Sequence, residues 1–156
     1  MINPELYQRT VDILVKAYFE DTLEHANCRA CAVGNIVAAN MGIELGRTGN
    51  YLSDIMPKDF IPHNPELDSG VWYGAIHDRQ VYEPRLTFSI IKQVESTGYK
   101  AEELAEIEYA FENAPQGNSE DEWMFNGLMA VIDVLDEIHQ NTDKEVTEVS
   151  KKRFEK

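Results

Sequence analysis

The stretch SEDEWMFNGLMAVIDVLDEIHQ, residues Ser119 to Gln140, decides the fold class. Ser119 followed three positions on by Glu122 is a capping box, in which two side chains satisfy orphan backbone N–H groups at a helix start. Glu120, Asp121 and Glu122 also place negative charge at the positive end of the helix dipole. Behind them Met124, Leu128, Val131, Ile132, Leu135 and Ile138 recur at steps of three and four, the period of one buried helical face. The spacing predicts a long amphipathic helix reaching about Gln140.

The same period extends outward. Residues Ala101 to Asn113 turn Leu104, Ile107 and Phe111 inward, and Pro115-Gln-Gly-Asn118 breaks the chain after them. Upstream, Pro84 opens a helix carrying Leu86, Ile90, Ile91 and Val94, and Gly98 closes it. At the start of the chain Asn3 is a cap, Pro4 suits the first helical position and Ile2 can staple onto Tyr7. Leu6, Tyr7, Val11, Leu14, Val15, Tyr18 and Phe19 then share a face, so this helix is expected from Pro4 to Leu23. A second, slim helix follows a cap at Asn27, with Cys28, Cys31, Ala32, Ile36 and Ala39 on a narrow face and Gly42 as a left-handed stop. Its alanines admit close neighbours, which suits the centre of a bundle.

Residues 43–84 break the pattern. Gly46, Gly49, Gly70, Gly74, Pro57, Pro62, Pro65 and Pro84 fall here, and periodicity fades. Phe60, Trp72 and Tyr73 give the segment apolar material with which to pack down. The expected fold is therefore mainly α: about five helices in a compact orthogonal bundle, with a long irregular centre (43–84) that has room for a short β-hairpin around Val71–Val81. Residues 1–140 form one helical domain in this reading, and 141–156 a charged tail, helical or frayed.

Bulk properties agree with one globular domain. The chain has 156 residues, 43% apolar and 27% charged, a length that buries roughly 70% of the unfolded surface. No apolar run reaches the ~18 residues of a membrane span, and Met1–Gln8 lacks the parts of a signal peptide. Two cysteines three positions apart fit a reducing compartment, so a cytoplasmic location is expected.

Charge is distributed unevenly. Residues 101–140 hold eleven carboxylates and no Lys or Arg, so −11 of the net −14 sits in that stretch. Such a field repels nucleic-acid and membrane phosphates and favours cationic partners. Solvated helix faces ordinarily mix signs and gain from Glu–Lys pairs four apart. A one-sign face repels itself and is relieved by a basic partner. Glu102, Glu103, Glu106, Glu108, Glu112, Glu120 and Asp121 are the candidate partner-binding residues. The plainer alternative is a solvated outer face that keeps the protein soluble.

Two motifs carry possible chemistry. In His25-Ala-Asn-Cys28-Arg-Ala-Cys31, imidazole and thiolates lie close enough in sequence to share a zinc ion, with His63 or His77 as fourth ligand. His25, Cys28, Cys31 and His63 are the candidate metal set. The alternative is two small packing cysteines beside a solvent-exposed histidine. A dithiol redox role lacks the strand that precedes the helix in thioredoxin-like sites. The second motif, Trp72-Tyr73-Gly-Ala-Ile-His77-Asp78-Arg79, could rim a pocket for a small anion with Arg47 and Arg85 nearby. Its alternative is an aromatic anchor that ties a loop to the bundle.

Several activities are excluded. Asp136-x-x-His139 is a single imperfect copy of a motif that di-iron bundles need twice. The loop Glu112–Trp123 puts tryptophan where a calcium loop needs its bidentate acid. Phosphate-binding glycine loops and the Gly-x-Ser-x-Gly elbow are absent. No nucleophile is set beside a base, so no catalytic residues are assigned. The leading expectation is a non-enzymatic, acidic helical binding protein that contacts a basic or nucleic-acid-binding protein. The alternative is a metal- or small-anion-binding protein. Fifteen aromatic residues also make an exposed apolar patch, and hence a homodimer, a reasonable expectation.

Overall fold

A computed structural model describes residues 1–25, 31–42 and 92–156. The expectations for Asn27, for segment 43–84 with its hairpin, and for the helix opening at Pro84 fall outside the described residues. The protein is mainly α-helical, with α1 Pro4–Phe19, α2 Ala32–Asn40, α3 Ala101–Glu112, α4 Glu120–Ile138 and α5 Lys144–Lys152. Residues 92–97 are also helical. They end at Gly98, whose φ of 81° is open to glycine at little cost. No strand occurs among the described residues, and no helix there is long and apolar enough to cross a membrane.

Pro4 opens α1 as its ring geometry dictates, but the flanking residues act differently from expectation. Asn3 sits at φ 47° without a side-chain cap bond, and Ile2 stays exposed instead of stapling Tyr7. The Ile2 N–H donates to the His139 carbonyl at 2.7 Å, and the Ile2 carbonyl lies 2.8 Å from His139 Nδ1. The end of α4 therefore fixes the entry to α1. The helix stops at Phe19, before the expected Leu23, where Asp21 turns to φ 57°. Its buried face is Tyr7, Thr10, Val11, Leu14, Ala17 and Tyr18, while Phe19 is exposed.

Cys31 caps α2, its Sγ accepting from the Gly34 N–H at 3.4 Å, so this helix starts four residues later than a cap at Asn27 would set it. Every residue from Ala32 to Ala38 is buried, whereas Ala39 is exposed. A helix buried on all sides occupies a central place, and its small side chains permit that.

The α3–α4 pair is the main packing unit. Leu104, Ile107 and Phe111 meet Leu128, Val131, Ile132 and Leu135 in one core. Gly127 lets the helices approach: a Cβ there would lie 2.9 Å from both the Phe111 ring and its carbonyl oxygen. The Ser119 cap forms, with the Glu122 N–H donating to Oγ at 3.1 Å, while the Glu122 carboxylate reaches back to the Asn118 N–H at 2.7 Å.

Beyond Asn141 the chain is helical and packed. Asp143 caps α5 through the Glu145 N–H at 3.0 Å. Phe154 is fully buried with its ring 6.0 Å from that of Tyr18. Lys151 pairs with Asp133 at 2.7 Å and Arg153 with Asp12 at 2.6 Å. Hydrogen bonds complete the closure. Tyr7 donates to Asp136 at 2.8 Å, Thr147 donates to the other Asp136 oxygen at 2.6 Å, and the Tyr99 hydroxyl lies between Thr10 and His139. Burial, with Asp136 adding to it, pushes the Tyr7 hydroxyl up to about 12. Asp136 and His139 thus serve different structural bonds.

Candidate functional site

Two places concentrate features that packing alone leaves unexplained. The first surrounds His25. This residue is 6% exposed, contrary to the expected solvent-facing histidine. Its ring is sandwiched between Phe111 of α3, at 4.2 Å and 8° between planes, and Trp123 of α4, at 3.8 Å and 5°. Its Nδ1 lies 3.4 Å from Glu112 Oε2, so a proton on Nδ1 is donated to that carboxylate. Among the described residues, Nε2 is buried without a hydrogen-bond partner, as is Trp123 Nε1.

Glu108, one turn before Glu112, is the third member. It is 1% exposed, and neither carboxylate oxygen has a hydrogen-bond partner among the described residues. Burial, reinforced by the Glu112 charge, raises its pKa to about 8. A carboxyl group in that range is mostly protonated at neutral pH. Glu108 therefore faces inward and is no part of an outer acidic surface. Glu112 is half-buried beside His25. The cluster presents no nucleophile, and among the described residues no three His, Cys, Asp or Glu side chains are grouped to hold a metal ion.

Of the proposed metal set, His25 sits in this stack and Cys31 caps α2. Cys28 and His63 lie outside the described residues, as do Arg47, Trp72, Tyr73, His77, Arg79 and Arg85.

The second place is the outer side of α3 and α4. Here the eleven acids separate by the work each does. Glu102 and Glu103 stand in the first turn of α3, where Glu103 accepts from the Lys100 N–H at 2.8 Å. Glu120, Asp121 and Glu122 stand in the first turn of α4. Those five stabilise helix N-termini. Glu120 and Asp121 also line a recess of about 130 Å³ shared with Tyr18 and Lys156. The Lys156 ammonium lies 4.2 Å from the Tyr18 ring centre. Asp133 pairs with Lys151, Asp136 takes the Tyr7 and Thr147 hydroxyls, Glu112 meets His25, and Glu108 is buried.

Glu106 and Glu137 remain. They flank a shallow groove of about 350 Å³ whose other walls are Ala105, Tyr109, Ala110 and Val134. Neither takes part in an ion pair among the described residues. Glu137 lies in the last turn of α4, which bears no basic residue, and a carboxylate there opposes the helix dipole. Tyr109 is 69% exposed, the most exposed large hydrophobic side chain among the described residues.

Sequence reading missed the aromatic stack, Tyr109 and Glu137. Glu108 did leave a signal, because it falls on the Leu104–Phe111 stripe at the four-residue step. Tyr109 left none: one aromatic off the apolar face is ordinary in any helix. No family model, curated protein or solved structure matches the chain.

Proposed function

We propose that this is a non-enzymatic cytoplasmic protein that binds the basic surface of a protein partner through α3 and α4. The observation that supports the reading best is the pair Glu106 and Glu137, exposed carboxylates that have no ion pair and cap no helix among the described residues. The surrounding acids add a long-range field that speeds encounter with a positive surface. Direct binding to nucleic acid runs against that field. The test is titration with a synthetic basic helical peptide from about 0.03 to about 0.3 M salt, where the screening length falls severalfold. Affinity should fall steeply with salt, and exchanging Glu106 and Glu137, which cap no helix, for Lys should weaken binding without unfolding the protein. Binding indifferent to salt, or none at low salt, overturns the reading.

A second reading places zinc or a small ligand at His25, Cys28, Cys31 and His63, favoured by the buried His25 Nε2, which has no partner among the described residues. Native mass spectrometry of the zinc-equilibrated protein decides it. Retained zinc that is lost in Cys28→Ser/Cys31→Ser supports the site, and bare chain mass in both proteins ends it.

A further inference from the structure

Resting on the basic-partner reading, we infer that the groove between α3 and α4 is its docking point and takes an arginine side chain of the partner. The guanidinium would lie over the Tyr109 ring, between the carboxylates of Glu106 on α3 and Glu137 on α4. Four observations converge there. The two small side chains Ala105 and Ala110 leave the groove open, and Val134 gives it an apolar wall. An exposed tyrosine ring supplies a negative π-face for a cation. Carboxylates stand on both helices at its edges, so a cation entering it meets charge from two sides. Finally, a cation at Glu137 offsets the repulsion of that carboxylate by the C-terminal end of α4.

Arginine fits better than lysine for physical reasons. Its planar fork can bridge two carboxylates, it stacks flat on an aromatic face, and it is more weakly hydrated than an ammonium group. Its aliphatic stem would cover the alanine and valine surface. Anchors of this kind, aromatic against arginine, dominate interface energies out of proportion to their area.

The experiment uses three labelled helical peptides of one sequence, carrying arginine, lysine or uncharged citrulline at a single central position. Binding is read by fluorescence anisotropy, with thermal melts confirming that each variant is folded. The arginine peptide should bind about tenfold more tightly than the citrulline peptide, with lysine between them. Tyr109→Ala, and separately Glu106→Gln/Glu137→Gln, should each erase that preference. The control Glu120→Gln/Asp121→Gln should lower all three affinities together and leave the preference intact. If the control weakens binding while Tyr109→Ala and the groove pair do nothing, the docking point is overturned and the basic-partner reading survives. If no peptide binds at low salt, both fall.

Discussion

At the scale of single residues, Glu108 carries the sharpest physical consequence. Its carboxyl is raised from 4.5 to about 8 by burial and the Glu112 charge, so the folded state holds a proton that the unfolded state has released. The stabilisation is complete below the unfolded value and is lost as pH rises through the folded one. Each unit of pH between those limits costs about 1.4 kcal/mol, up to about 5 kcal/mol across the window. Glu108→Gln keeps the shape and cannot ionise. Urea melts of the two proteins from pH 5 to 9 should show nearly equal stability at the acid end, and Glu108→Gln progressively the more stable toward pH 8. Parallel curves would mean that Glu108 is ionised in the fold at neutral pH. The buried place of Glu108 was half legible: its position on the apolar stripe is in the sequence, but the carboxylate's lack of partners depends on what other helices bring to it. The His25 stack was illegible for the same reason. Residues 25, 111 and 123 meet only because α3 and α4 pack beside the end of the α1 loop.

At the scale of elements, local chemistry was a good guide to helix existence and a poorer one to helix ends. The long apolar periods of α1, α3 and α4 identify themselves, because each needs one buried face regardless of neighbours. The Ser119 cap and the Gly98 stop are backbone requirements that only certain residues meet cheaply. The start of α2 was misread because a thiol is a rare cap, so Cys31 looked like a packing residue when its sulfur holds the Gly34 N–H. The α3–α4 approach makes a second prediction. In an exposed helix, Gly→Ala gains about 1 kcal/mol. At Gly127 the added methyl would press on the Phe111 backbone oxygen as well as its ring. Gly127→Ala should therefore destabilise, by about 1–3 kcal/mol as for overpacked cores, measured as a lower denaturant midpoint at unchanged m-value. A stabilised variant would show that α3 can move away freely.

At the scale of the whole molecule, a net charge of −14 acts on folding and association in opposite directions. Salt screens self-repulsion within the fold, and it equally screens attraction to a basic partner. The melting temperature should rise between about 0.03 and about 0.3 M salt, over the same range in which peptide affinity falls. A melting temperature that falls with salt would mean that attractive pairs such as Arg153–Asp12 outweigh the repulsion. The charge imbalance itself was readable at once, whereas the sorting of acids into caps, pairs, a buried member and two unassigned members required the fold. One feature of that fold reaches into time. Tyr7 bonds Ser150 across 143 positions, Asp12 pairs with Arg153 across 141, and Tyr18 packs on Phe154. Contacts so distant in sequence close late, because the loop between them must be gathered first. On a ribosome, α1 emerges before α5 and stays incompletely covered until residues 144–154 have followed. During that interval the sides of Tyr7 and Tyr18 that later meet Ser150 and Phe154 face solvent or a chaperone.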